Sequence, residues 1–283
     1  MINDAARTTY QYLRVAMVGV VVLLAASVLF ERAEVDCWQT SISAYYYTPV
    51  RAILVGGLMA IGLCLIVIKG STAWEDSFLN FAGMLAPIVA VVPTSTAGTC
   101  WSIEPDPLPI ENGSLAPWVI ANIDNNMKAL IVVGIAGLVV ATLIGLLSGA
   151  LQQALRAGGG GTLVGLIGAV TIVLGAWFAF LWWDDFYTKG HSIAAITMFV
   201  FLALVVAINA QKHAGDRGVY FWIYTVIAVL MVLIALAIFA AKSSWDHAVL
   251  VLEAIEIALF AIFWLVQTVE HWDGRQPDAT VAT

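Results

Sequence analysis

The sequence predicts an all-α integral membrane protein, a helical bundle of about eight transmembrane helices. Three observations lead there. Hydrophobic residues make up 61% of the 283-residue chain and charged residues only 11%, with a mean hydropathy of +0.93; a soluble domain carries about 25% charged residues. Eight apolar runs, most of them close to the ~20 residues a crossing needs, are separated by short polar segments. The last run, Ala248–Val269, carries Glu253 and Glu256 inside its apolar sequence. A carboxylate at mid-depth costs roughly 2.5–3.5 kcal/mol, so the helix that holds both must turn them to an interior. The formal charge of −7 and the lack of a basic run exclude nucleic acid as a partner. The lipid bilayer is the expected one.

In order, the runs are Gln11–Phe30, Arg51–Ile68, Phe78–Val92, Met127–Leu151, Leu163–Trp183, Ser192–Asn209, Val219–Ala241 and Ala248–Val269. The first follows a polar Met1–Arg14 with no small-residue cleavage site after it, and reads as a retained span. Pro87 in the third and Gly134, Gly137 and Gly145 in the fourth are breaks that neighbouring helices can absorb. Trp38, Trp101, Trp118, Trp182, Trp183, Trp245, Trp264 and Trp272 stand at run ends or in loops and read as interface belts.

Orientation follows from the twelve Lys and Arg. With the N-terminus cytoplasmic, Arg7, Arg14, Lys69, Arg156, Lys212, Arg217 and Arg275 lie inside, and Arg32, Arg51, Lys128, Lys189 and Lys242 outside. The same arrangement puts Cys37 and Cys100 on the outer face, where disulfides persist. A Cys37–Cys100 bridge is therefore expected, with both termini cytoplasmic after eight spans. Cys64, in an apolar run, reads as inert packing.

The chain reads as one membrane domain, 1–283. Residues 94–126, rich in Pro, Gly and acids, form the one sizeable extracytoplasmic loop, a tethered loop or small lid. Within it Asn112-Gly-Ser114 matches a glycosylation acceptor, which a plain turn also explains. The four glycines 158–161 read as a linker between a first half, 1–157, and a second, 162–283, of four spans each. Tyr47-Thr48 and Tyr187-Thr188, 140 positions apart, each open an apolar span. This raises the expectation of two parallel four-helix repeats.

Polar residues gather at the outer ends of the runs. Ser41, Ser43, Tyr45, Tyr47 and Arg51 precede the second; Asn122, Asp124, Asn125, Asn126 and Lys128 precede the fourth. Asp184, Asp185 and His191 lie between the fifth and sixth, Asp246 and His247 before the eighth. Glu253 lies roughly 10 Å deeper than Asp246 at 1.5 Å per residue. The charges at the other ends, Glu75, Asp76, Lys212, His213, Asp216 and Arg217, read as solvated turns. The pattern predicts an outward-facing polar cavity lined by buried carboxylates. Its expected ion-, proton- or ligand-binding residues are Glu253, Glu256, Asp246, Arg51 and His191.

Three functions fit such a cavity. Buried carboxylates suit a small transporter or an ion- or proton-translocating protein with a small-molecule or ion substrate. A membrane-embedded hydrolase acting on a lipid-linked substrate is the enzyme alternative. His191 and His247 are the candidate metal ligands for it, but HxxxH, HExxH and ExxH spacings are all missing, so no metal and no cofactor is expected. A Ser-His-Asp set can be drawn from Ser43, His191 and Asp246, though the outer loops hold enough of each type to make that unremarkable in itself. The third reading is an accessory or scaffold subunit of a larger membrane complex, its glutamates serving as interhelical bonds or meeting partner membrane subunits.

Ser41-Ile-Ser-Ala-Tyr-Tyr-Tyr-Thr-Pro-Val-Arg51 with Gly56-Gly57, Glu75-Asp76 with Ala82-Gly83, and Phe263–Glu270 resemble segments of uncharacterised bacterial, mostly actinobacterial, multi-pass membrane proteins. That resemblance implies a bacterial inner-membrane location and no particular activity. The serine-containing loop before the second span also resembles the damage-regulated autophagy modulator type. An enzyme analogue would be the alkaline-ceramidase and progestin-receptor superfamily, from which the chain departs by lacking the closing pair of histidines.

Overall fold

The computed structural model describes residues 2–95, 100–111, 114–149, 152–153, 160–241 and 245–272. Gly158, Gly159, Arg156, Lys242, Arg275, Asn112 and Gly113 fall outside them, and with them part of the proposed linker and of the glycosylation acceptor. The described helices are α1 (Ile2–Val35), α2 (Arg51–Val67), α3 (Ala73–Val91), α4 (Pro117–Leu147), α5 (Gly160–Trp182), α6 (Phe186–Lys212), α7 (Val219–Ala241) and α8 (Ala248–Glu270). A 3-10 turn, Ser43–Tyr47, precedes α2, and a two-residue hairpin pairs Ile110–Glu111 with Ser114–Leu115. Each apolar run has its helix, with shifted bounds. Six helices, α1 and α4 to α8, are long and apolar enough to cross a membrane. Helix α2 is a shorter apolar helix, and α3 carries Glu75 and Asp76 in its first turn. The chain is a multi-pass membrane protein.

Its exterior is apolar, as a bilayer requires. In the most apolar 18-residue window of α4, 0% of positions are buried inside the protein, and Val132, Val133, Val139, Val140 and Leu143 are exposed. Leu233 and Leu236 of α7 are likewise exposed.

Helix pairing closes a ring. Helix α1 packs on α2 and α8, α3 on α2 and α6, and α7 on α6 and α8. Helices α4 and α5 lie outside the ring, against α3. A close seam joins α2 to α3. Pro87 has no N–H, so the Gly83 carbonyl four residues earlier loses its helical donor. Gly62 fills that gap: a Cβ there would come 2.8 Å from the Gly83 oxygen, and one on Gly83 2.6 Å from the Gly62 oxygen. Only small residues permit such an approach.

Two segment boundaries differ from the sequence reading. The polar segment that begins at residue 94 ends at Ala116, not 126. Pro117, with its φ already helical, starts α4, so Asn122, Asp124, Asn125, Asn126 and Lys128 lie on its first turns. Gly160 and Gly161 belong to the first turn of α5, not to a linker. Gly161 sits against Ala73, and its carbonyl accepts the Ser77 hydroxyl at 2.9 Å. Trp264 also departs from the belt reading: it is fully buried against Phe260 and Phe263.

Cys37 and Cys100 form a disulfide, which marks one end of the bundle as the disulfide face. There the loop after α3 is fastened to the end of α1. Glu31, itself buried, accepts the Ser102 N–H at 3.1 Å and its hydroxyl at 2.8 Å. Gln39 donates to the Cys100 carbonyl. The segment between α1 and α2 is tied to α8, since Thr40 O accepts the Leu250 N–H at 3.0 Å, one of the helix-start donors without an intrahelical partner.

Candidate functional site

Four elements meet beneath the disulfide face. Ser41 Oγ accepts the Ala44 N–H at 2.9 Å, folding Ser41–Ala44 into a tight turn that points Ser43 into the ring. Thr48 Oγ1 accepts the Val50 N–H at 3.2 Å and leads into α2. Two turns into α8, Glu253 reaches this turn from the opposite side. Its Oε2 accepts the Ser43 N–H at 3.1 Å, and its Oε1 lies 2.8 Å from the Ser43 hydroxyl oxygen. From α6 the buried His191 places Nε2 2.9 Å from the same hydroxyl, and Nδ1 2.7 Å from the Val92 carbonyl at the end of α3.

This geometry fixes a proton count. A carbonyl oxygen only accepts, so His191 Nδ1 carries a proton. Ser43 has one hydroxyl proton and two neighbours that need one, Nε2 and Oε1. One further proton must complete the chain. It sits either on Glu253, which then donates to Ser43 while Ser43 donates to a neutral imidazole, or on His191 Nε2, with Ser43 donating to a carboxylate. Both arrangements have zero net charge. They interconvert when two protons shift along the line Glu253–Ser43–His191.

The relay heads an apolar cavity of about 80 Å³ inside the ring. Val20, Val21 and Leu24 of α1 line it with Leu54, Leu58, Ile61 and Leu65 of α2, Met198 and Leu202 of α6, and Ile257 and Phe260 of α8. Its polar lining is Ser43 and Glu253. The cavity expected to be polar is therefore an apolar one with a polar head. A volume near 80 Å³ exceeds the ~10–15 Å³ that one water needs, yet apolar walls leave a water few partners.

The other sequence candidates do not join this site. Arg51 donates to the Tyr46 hydroxyl at 2.8 Å and stacks 4.3 Å above that ring; it orders the aromatic turn. Burial in the same turn pushes the Tyr47 phenol well above the usual tyrosine range, and Tyr47 donates to the Thr94 carbonyl at 2.6 Å. Asp246 is exposed. His247 Nδ1 lies 3.2 Å from the Gln39 carbonyl, far from His191 in its bonding. Glu256 is 4% exposed, and neither carboxyl oxygen has a partner among the described residues. It lines neither this cavity nor the cleft described below. Among the described residues no three His, Cys, Asp or Glu side chains converge as a metal site would require.

At the opposite end of the ring, Asp216 and Arg217 are exposed in a turn as the sequence suggests, but Glu75 is not a solvated charge. Glu75 is 2% exposed. Its Oε1 accepts Asn209 at 2.9 Å and Gln267 at 3.4 Å; its Oε2 accepts the Ser71 N–H and hydroxyl, both at 2.8 Å, and the Lys212 ammonium. Beside it Glu270 pairs with His213 at 2.7 Å and accepts the Tyr224 hydroxyl. These bonds tie α3, α6, α7 and α8 together. Sequence offered a signal here. Thr72-Ala-Trp-Glu75 has capping-box spacing, and Thr72 does cap Glu75 N–H at 3.1 Å. Asn209 and Gln267 are amides at the ends of apolar runs that pass this same level.

Compared with known proteins, the chain matches no protein family, no curated protein and no solved structure. The site itself is what remains to argue function from.

Proposed function

We propose that the chain is a proton-coupled carrier whose coupling site is the Glu253–Ser43–His191 relay. One observation carries this: a serine hydroxyl 2.8 Å from a carboxyl and 2.9 Å from an imidazole, at the head of an apolar cavity inside a helix ring. The two arrangements hold the same protons at zero net charge. The relay therefore passes a proton when Glu253 takes one up as His191 gives one off, and no net charge is left in the bilayer, where unpaired charge is costly. The bonded network around Glu75 then closes the ring at its other end. On this reading α2 and α3 complete eight crossings.

The disulfide face is taken as extracytoplasmic, with both termini cytoplasmic and the bacterial inner membrane as location. A membrane-impermeant maleimide tests it. After mild reduction of intact cells it should label Cys37 and Cys100; protection that lasts until the membrane is opened would reverse the orientation.

Flux tests the coupling. Proteoliposomes with an entrapped pH dye and a potassium–valinomycin clamp should dissipate an imposed pH gradient. Glu253→Gln and Ser43→Ala should slow this by about 10²-fold, the lower end of what losing one positioned acid or base costs. Equal rates in all three proteins would refute the proposal.

The hydrolase reading keeps one favourable observation: Val92 fixes His191 in the tautomer that presents a basic Nε2 to Ser43. Against it, the Ser43 N–H, the nearest donor for an oxyanion, is occupied by Glu253. Covalent labelling of Ser43 by a fluorophosphonate probe would favour hydrolysis over transport.

A further inference from the structure

A second apolar opening lies between α1 and α8, in the half of the bundle nearer the disulfide face. It is about 510 Å³, within the range of about 300–1,000 Å³ for sites that bury a whole small ligand. The two helices close on each other at the opposite end. There Gln11 donates to the Trp272 carbonyl at 2.9 Å, and Arg14 lies over the Trp264 ring at 6.0 Å. Toward the disulfide face they part. Ala25 and Leu29 on α1, with Ala254 and Ala258 on α8, line the gap and are exposed at the surface, whereas Val28 and Leu250 form its buried floor.

Position and continuity identify the occupant. The gap opens on the flank of two membrane-crossing helices, where the surrounding medium is acyl chain. Trp38, Trp245 and His247 border its end at the disulfide face, and exposed tryptophans of this kind sit at headgroup level. Four side chains, Val21, Leu24, Ile42 and Ile257, line both this cleft and the ring cavity. Among the described residues these four form the shared wall, and Ile42 is the neighbour of Ser43. A chain lying in the cleft is thus one layer of side chains from the relay.

We infer that the α1–α8 cleft is a lateral portal that takes one acyl chain of an amphiphile from the leaflet at the disulfide face. The polar end of that amphiphile stays beside Trp38, Trp245 and His247. Rotation of the four wall side chains then opens the path to Ser43 and Glu253. The inference rests on the carrier reading and names its substrate class, a single-chain amphiphile.

The test uses the full chain in nanodiscs and lysophosphatidylcholine with a diazirine in its acyl chain, mapped by peptide mass spectrometry. Labelling should concentrate on α1 near Ala25–Leu29 and on α8 near Leu250–Ala258, saturate, and be competed by unlabelled lysophosphatidylcholine. Ala254→Trp fills the gap without touching the relay. It should lower cleft labelling tenfold, about 1.4 kcal/mol, and leave labelling of the α4 face around Val132 unchanged. Glu253→Gln should keep cleft labelling, because the chain is held by apolar walls. Non-saturating label spread evenly over cleft and α4 would mean ordinary surrounding lipid and overturn the portal. Saturable label indifferent to Ala254→Trp would overturn it too. No proton flux through the unsubstituted protein, or flux that Glu253→Gln leaves unchanged, with intact cleft labelling would sink the carrier reading alone.

Discussion

Ser43→Ala is the sharpest perturbation the structure offers, because one hydroxyl serves two buried groups. Removing it leaves His191 Nε2 and Glu253 Oε1 each without the partner now 2.9 and 2.8 Å away. An orphaned buried polar group costs about 1–3 kcal/mol. Glu253 keeps its bond to the Ser43 N–H, and the adjoining cavity can admit a water that replaces part of the loss. The expected destabilisation is therefore about 2–4 kcal/mol, and Ser43→Thr, which retains a hydroxyl, should recover most of it. Stability alone does not prove a relay, so the decisive quantity is coupling. His191 and Glu253 communicate through Ser43. A double-mutant cycle of His191→Asn and Glu253→Gln, read by denaturant unfolding in detergent, should give an interaction energy of about 1–3 kcal/mol. Repeated in the Ser43→Ala background, the interaction should fall to nearly zero. Additive effects with Ser43 present, or coupling that survives its removal, would refute the shared-proton argument.

Two further outcomes follow from the carboxylates elsewhere. Glu75→Leu should destabilise the bundle by about 3 kcal/mol, the lower end for breaking a buried pair since Lys212 is partly exposed; a Glu75→Leu, Lys212→Leu double variant should unfold less readily than the single one, and the reverse order would show that the ion pair is not what holds this end. Glu256→Leu should stabilise by about 1–3 kcal/mol by removing a buried group with no bond, with thermal unfolding as the readout; a destabilised variant would mean that Glu256 has a partner supplied from outside the described residues.

The helices were legible because a bilayer leaves the sequence little choice. Runs of apolar residues near crossing length must be helical, their backbone groups being satisfied only within the segment. The disulfide was legible for a related reason: alternating spans place Cys37 and Cys100 on one face. Errors arose where polarity was taken to mean loop. Asn122, Asp124, Asn125 and Asn126 look like loop residues, yet Pro117 had already started the helix, and Asp124 there accepts the Tyr187 hydroxyl at 2.6 Å. The same assumption hid Glu75, whose neighbours Lys69, Ser71 and Asp76 suggest a solvated turn. Burial there comes from Asn209 and Gln267, 134 and 192 positions away, a tertiary fact that no local pattern contains.

The relay shows the same limit at finer scale. Glu253 and Glu256 are three residues apart and look equivalent in sequence, each a carboxylate in an apolar run. At 3.6 residues per turn they differ by about 60° around the helix. That rotation suffices to give them different chemistry. Glu253 faces the turn between α1 and α2, where Ser43 supplies both an N–H and a hydroxyl, and a cavity lies beside it. Glu256 shares its face of α8 with Leu259 and Phe263, both buried in the apolar core, and finds no bond among the described residues. A charge in a membrane helix needs a partner, but the sequence of that helix does not say which of two adjacent carboxylates will meet it. The answer lies in Ser43, 210 positions earlier, and in the serine-stabilised turn that aims it inward.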